Sequence, residues 1–458
     1  MDFTLLDPRL KEDLLTAING KITILYRPEC VFLKPDAELE IKAPVTSIII
    51  VQDFVDTYQD TVQIEVRLNI DEYRAIQANI QDLECTLTLY PQYAESGTDN
   101  YDEDPIILEY VVFVQDQVDL DKQVQSNFAG DNKEDGVVLS QSQANTFAEY
   151  RFHLLSKTMR DMRKVQLNMI SRETNIETVL HWACQNFGAE STVIIPPDNT
   201  SSITNFIIPP MHNLSTLFPY LQQRYGIYSK GMGYYYTGEV LYIYPLYDTS
   251  EKTTPIKDSV IYLINGVKTH FAMADVRAAR VDNDLYIALT STVKVAPMDT
   301  ASAENKGDNL VSFNADNVLD RLAPVGGDGK VNINPNYTVI QRQNTATNMN
   351  SASQSVTYKD ITSNIYQSTS ALAKDDGSKM ETVWANAIPY SLYPGQNVVY
   401  NYSSADGNYE SSKGRLMGVV YVSRPVSIDA VHLSFVFHAA MTVFLEAEKK
   451  SGESYQYN

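Results

Sequence analysis

This 458-residue chain has few of the side chains from which active sites are built. Its three cysteines, Cys30, Cys85 and Cys184, are odd in number and far apart, which excludes a disulfide framework and a thiolate zinc site drawn from one chain. Free, buried thiols in a reducing compartment are expected. The six histidines, His153, His181, His212, His270, His432 and His438, are too dispersed for an HExxH-type metal motif. No apolar run approaches the ~18 residues needed to cross a bilayer. The start, MDFTLLDPRLKEDLL, lacks the basic region and apolar core of a secretory leader. A non-membrane protein is expected, and the sequons at Asn199, Asn213, Asn336 and Asn401 carry no weight.

Phosphate and metal loops are lacking too. Gly329-Lys330 has Pro324 where a P-loop needs its upstream glycine, and Val331 where it needs Ser or Thr. Gly231-x-Gly233 has no third glycine and precedes tyrosines rather than a helix, which argues against a dinucleotide site. Asp131, Asp135 and Gly136 fit part of a calcium loop, but Lys133 and Ser142 occupy two ligand positions. The nearest thing to a constellation is Glu177, His181 and Cys184 on adjacent turns of one helix, and a surface pair beside a core cysteine explains it without chemistry. No catalytic, cofactor-binding or metal-ligating residue is assigned. No cofactor is implied, and the chain reads as a protein without enzymatic activity.

Basic residues are scarce where they would matter for nucleic acid. Residues 1–136 hold 28 Asp and Glu against 10 Lys and Arg, so phosphate contacts are disfavoured there. The remainder is nearly balanced. Tryptophan occurs twice and tyrosine thirty times. Tyrosine joins a large apolar face to a polar tip, and packing between subunits is the expectation for this excess.

What is present is β pattern. Asp7-Pro8 opens a short docking helix with Leu10, Leu14, Leu15 and Ile18 on one face. The period then becomes two: Val45–Val51, then Val62, Ile64, Val66 and Leu68, then Leu83–Leu89 and Ile106–Val114, with a small helix over Asp71–Ala78. These strands predict a barrel within 1–140. Polar, acidic residues follow over Glu95–Pro105 and, as a linker, over Gln115–Gly136. In 141–250, Thr174-x-x-Glu177 reads as a capping box for a helix ending at Gly188. Beyond 251, strands are predicted at Val260–Ile264 and Val267–Ala272, joined by an Asn265-Gly266 hairpin turn, at Leu285–Val295, and at Val398–Tyr402, Leu416–Val422 and Ala430–Leu445. Residues 299–380 are poor in aliphatics and polar, and some of this stretch is expected to be a long surface excursion that orders only against partners. The fold class is α+β, mainly β: two tube-like β-barrel domains (1–140 and 251–458) around a smaller α/β middle domain (141–250).

Within the middle domain, Pro209-Pro210 leads to a stripe of Leu214, Leu217, Leu221 and Tyr225 stopped by Gly226. Thr216 as N-cap would put Pro219 in the first turn. Gly231-x-Gly233, Tyr234–Tyr236, Thr237-Gly238 and Leu241–Tyr244 then read as a hairpin. This order, with Tyr225-Gly226-Ile227-Tyr228 and Leu241 to Asp248, resembles the central baseplate hub protein of contractile-tailed bacteriophages and related injection machines. The match covers about fifty residues well and the rest in architecture. The resemblance implies a homotrimer in the virion, made in the host cytoplasm. Each chain would supply two tube-like barrels, adapting a sixfold tail tube or tube-initiator protein to a threefold central spike beside the wedge proteins. DNA would pass without specific binding along a like-charged wall. The alternatives are another tail part, a distal ring or wedge protein, or a tail-associated hydrolase or glycan-binding protein.

Overall fold

The computed structural model describes residues 24–93, 105–116, 148–187, 191–257, 259–265, 278–289, 293–298, 365–375, 377–403, 409–428 and 433–446. The expected helix at Asp7, the acidic loop before Pro105, the linker beyond Asp116, the partial calcium loop, the Asn265-Gly266 hairpin and residues 299–364 of the polar excursion lie outside them.

The first strands are β1 (Ile24–Lys34), β2 (Leu39–Ala43), β3 (Val45–Asp53) and β4 (Thr61–Leu68), followed by helix α1 (Ile70–Ala78), β5 (Glu84–Tyr93) and β6 (Ile106–Asp116). Alternation decides their facing, since Val62, Ile64, Val66 and Leu68 are all fully buried. Helix α1 starts at a capping box in which the Asn69 side chain accepts from the Glu72 N–H and Glu72 accepts from the Asn69 N–H.

Next come β7 (Ala148–Ser156), α2 (Lys157–Lys164), β8 (Leu167–Thr174), α3 (Ile176–Phe187), β9 (Ser191–Ile194), β10 (Ile203–His212), α4 (Leu214–Arg224), β11 (Met232–Thr237) and β12 (Val240–Pro245). The cap of α3 is Asn175, whose side chain accepts from the Thr178 N–H at 2.8 Å. The expected Thr174 is committed instead to β8, opposite Ile203. Likewise α4 is capped by Asn213, with Thr216 as its reciprocal partner, so Pro219 lies inside the helix rather than in its first turn. Proline there removes the bond to the carbonyl four residues back, that of Ser215. The Tyr234 hydroxyl donates to that carbonyl at 2.8 Å. Gly226, at φ 80, ends the helix. Strands β11 and β12 are joined by Gly238 and Glu239, both at positive φ, a two-residue turn whose twist suits a hairpin.

The last elements are β13 (Val260–Ile264), β14 (Ala278–Val281), β15 (Asp284–Ala288), β16 (Lys294–Pro297), α5 (Ile365–Asp375), β17 (Ser378–Ala387), β18 (Asn397–Ser403), β19 (Tyr409–Ile428) and β20 (Leu433–Leu445). Strands β15 and β16 replace the single expected strand. Helix α5 and the start of β17 fall in the expected excursion, and they are packed within the chain: the Tyr366 ring covers Gly226 closely enough to leave no room for a Cβ. That end of the polar stretch is therefore packed against the chain itself.

Fifteen strands form one mixed sheet. Its ladder runs β19-β3-β4-β7-β6-β5-β1-β20, and β20 pairs back to β19, closing an eight-stranded ring. On the other side the same two strands continue into β18-β13-β15-β14 and β17-β16. The chain is mainly β, as its alternation predicts, but the ladder crosses the expected boundaries at 140 and 250. Strand β7 fills the gap between β4 and β6, and the ring is completed by β19 and β20 from the far end of the chain. No local pattern signals these pairings.

Candidate functional site

The two long strands β19 and β20 are a spine shared by the closed ring and by the strands that continue past it, β18-β13-β15-β14 and β17-β16. Along its outer edge β19 pairs first with β18 over 409–415, then with β3 over 418–422. The exchange occurs at a bulge between Leu416 and Gly418. The Met417 carbonyl left there accepts from the Phe54 N–H at 2.9 Å. Gly418 is required because a Cβ would stand 2.9 Å from the Gln52 carbonyl oxygen. Strand β20 makes the matching exchange, from β17 over 437–445 to β1 at Phe435. Trp384, Tyr421, Phe437 and Met441 fill the inner face, all essentially inaccessible.

A polar joint ties the closed ring to the tyrosine hairpin. The Asp60 carboxylate, just before β4, accepts from Gln52 Nε2 at 3.0 Å, from the Tyr235 hydroxyl at 2.8 Å and from Thr237 Oγ1 at 3.0 Å. Although the residue as a whole is only half-buried, the carboxylate is enclosed, and burial raises its pKa from 3.8 to about 6 against the opposing pull of the three hydrogen bonds. Phe54 meets the Tyr235 ring edge-on at 4.7 Å, and the Tyr236 N–H donates to the Tyr58 carbonyl at 2.9 Å.

A second joint fixes the chain leaving the hairpin. Arg415 is wholly buried and donates to the carbonyls of Gly395 at 2.9 Å, Thr253 at 3.2 Å and Ser250 at 3.3 Å. With no carboxylate among these partners, burial lowers its pKa to about 10. Beside it the Tyr244 ring lies between two glycines: a Cβ on Gly233 or Gly395 would stand 2.6 Å from it. Gly231 and Gly233 thus serve close packing. The hairpin tyrosines correct the subunit-contact expectation, because Tyr228, Tyr235, Tyr236 and Tyr244 are buried within the single chain.

The structure separates the residues that the sequence set side by side. Glu177 and His181 are exposed on α3, while Cys184 faces the core, its thiol pushed up to about 12 by burial. Cys30 and Cys85, remote in sequence, are buried on paired strands with their sulfurs 3.6 Å apart. Asn199 is buried and donates to the Tyr225 and Gly226 carbonyls, and Asn213 is a helix cap. Among the described residues no three His, Cys, Asp or Glu side chains converge on a metal-sized space. Asp60 and Arg415 carried no signal in the sequence, since neither sits in a motif.

Fold and joints together define a β-rich scaffold, a closed ring and further strands built on one spine. A family model described as bacteriophage PBS1 gene 109 protein matches residues 11–319, and the chain belongs to that family. No curated protein sequence matches it. Among solved structures, it is similar to a tail protein from Neisseria meningitidis MC58, at 10% identity and a TM-score of 0.44, covering 92% of this chain and 97% of that one. It is also similar to an E. coli component of the type VI secretion system described as resembling T4 bacteriophage tail proteins, at 8% identity and a TM-score of 0.40, covering 89% and 75%. A third is the 43 kDa tail protein of prophage MuSo2 from Shewanella oneidensis, at 11% identity and a TM-score of 0.36, covering 92% and 99%.

Proposed function

We propose that this protein is a structural component of a phage tail, the homotrimeric baseplate hub that adapts a sixfold tube to a threefold spike. Membership of a phage protein family supports the setting, and one observation supports the rest: a single chain builds a closed β-ring and a further set of strands on one spine, which we read as two lobes. Three copies then present six lobes towards a sixfold neighbour while keeping threefold symmetry towards the spike. The first lobe takes residues 24–156 together with the spine, the middle unit follows to about 250, and the second lobe takes the remainder. Tube or tube-initiator, spike and wedge proteins are the partners. DNA passes a wall whose negative charge repels it. The role is geometric and needs no turnover.

Native mass measurement and electron microscopy of the purified protein test this. A trimer showing six lobes is expected. A ring of six chains would point to a distal ring or wedge protein, and a monomer at all concentrations would defeat the hub reading. Turnover of peptidoglycan or glycan would favour the hydrolase class.

A further inference from the structure

The tyrosine hairpin and the closed ring belong to different sheets. Strands β11 and β12 lie with β9 in a three-stranded sheet, and the ring lies in the fifteen-stranded one. Among the described residues the two meet at one isolated bridge, Gln59 with Tyr236, where the Tyr236 N–H donates to the Tyr58 carbonyl. Side chains make the other contacts: Phe54 edge-on to Tyr235, the stacked rings of Tyr58 and Tyr234, and the Asp60 carboxylate with its partners on β11. Each sheet keeps its own ladder if this joint parts, so the joint can open without either sheet unfolding.

The joint is short of donors. The carboxylate accepts from Gln52, Tyr235 and Thr237, while Gln52 and Gln59 each bury an Oε1 that has no partner among the described residues. A proton on Asp60 turns an acceptor into a donor, whereas the ionised carboxylate only accepts. Positive charge is lacking too. Among the described residues no Lys, Arg or His pairs with the carboxylate. The titratable groups around it are Tyr235 from β11, Tyr110 from β6 with Cys85 of β5 near it, Tyr390 after β17, Tyr421 of β19 and, near Tyr235, Asp53 of β3. None brings a cation. Burial first, and then the Asp60 charge, holds the Tyr110 and Tyr235 hydroxyls above their ordinary range, so these phenols stay protonated.

We propose that the Asp60 joint is a proton-operated latch, which clasps the hairpin to the ring while the carboxyl is protonated and lets the two sheets part locally when it ionises. An ionised carboxylate regains its hydration by leaving the enclosure, and opening this joint is the smallest movement that releases it. Burial raises the carboxyl from 3.8 to about 6, so the hold is fully present below pH 3.8 and is lost as the pH rises through about 6. Arg415 keeps its charge over this range and holds the chain leaving the hairpin throughout. The latch belongs to the single chain and is independent of the number of copies that assemble.

Amide hydrogen exchange at Tyr236 in the full chain, corrected for intrinsic rates, tests the latch at pH 5 and pH 8. Exchange is expected to accelerate about tenfold between the two, the ratio given by a carboxyl at 3.8 in the open joint and about 6 in the closed one. At pH 8 it is expected to be roughly tenfold or more faster than at Val62 and Ile64, which pair on both sides within the ring. In Asp60→Asn the acceleration is expected to vanish. Exchange at Tyr236 as slow as at the ring amides would mean that the joint opens only with the whole fold, and overturns the latch. A corrected rate that is equal at the two pH values in the parent overturns it as well, and both outcomes are read without the variant. So does an acceleration that survives in Asp60→Asn.

Discussion

Asp60→Asn is the substitution for which the structure gives the sharpest expectation. The carboxylate accepts three hydrogen bonds from Gln52, Tyr235 and Thr237 yet has its pKa raised from 3.8 to about 6, because enclosure outweighs them. The folded protein therefore holds the proton more tightly than the unfolded chain. The stability this group contributes is fully present below pH 3.8 and is lost as the pH rises through about 6. At ~1.4 kcal/mol per pKa unit the loss approaches about 3 kcal/mol at pH 8. Asparagine is nearly isosteric. Its Oδ1 can keep the bonds from Gln52 and Tyr235, and its amide can donate to the Thr237 hydroxyl in place of the bond that Oδ2 accepts. Urea unfolding of both proteins at pH 4 and pH 8, followed by tyrosine and tryptophan fluorescence, measures the difference. The variant is expected to gain up to about 3 kcal/mol over the parent at pH 8 and almost nothing at pH 4. A difference that is the same at both values, or larger in acid, refutes the account of the joint.

Tyr234→Phe leaves the Ser215 carbonyl, already bereft of its helical partner by Pro219, without a donor. A loss of about 1–3 kcal/mol is expected, and Pro219→Ala should shrink it by restoring an N–H; the absence of coupling in that double-mutant cycle would refute the assignment. Gly395→Ala forces a Cβ to 2.6 Å from the Tyr244 ring at φ 67. It should cost about 1–3 kcal/mol, more than Gly238→Ala, where a Cβ meets nothing within 4 Å; thermal midpoints compare the two. Trp384→Ala should cost about 3–5 kcal/mol and lower amide protection in β3 and β18 together, because the spine serves both lobes. Cys30, Cys85 and Cys184 should resist a thiol reagent at pH 8 until the protein is unfolded, since all three are buried.

The sequence revealed whatever is local. Alternation located β3, β4 and β5, the spacing of Leu214, Leu217 and Leu221 located α4, and Gly226 located its end, because each depends on a few neighbouring side chains. Caps were misjudged by one residue at Thr174 and by three at Thr216. Both helices begin at an Asn, and an Asn competes on equal terms with a nearby Thr in a reading of sequence alone. The joints were invisible for a different reason. Asp60 finds Tyr235 and Thr237 across some 175 residues of chain, and Arg415 reaches Ser250 and Thr253 across about 160. Nothing in either neighbourhood announces the partner. The tyrosines misled because an amphipathic ring suits an interface and a core equally well. Tyr234 and Tyr235 are held inside by acceptors within the chain, whereas Tyr244 is buried by its ring, packed between Gly233 and Gly395.

The interior of this scaffold differs from its outside. Inside, Asp60 and Arg415 are each bound to groups on other elements, which ties the hairpin and the chain leaving it to the strands of the sheet. Outside, Val383, Val422 and Val426 stand partly exposed on the spine, and among the described residues Arg424 makes no ion pair. The inner face of the spine is what organises the chain: Trp384, Tyr421, Phe437 and Met441 meet there from β17, β19 and β20, so a substitution at any of them acts on strands far apart in sequence.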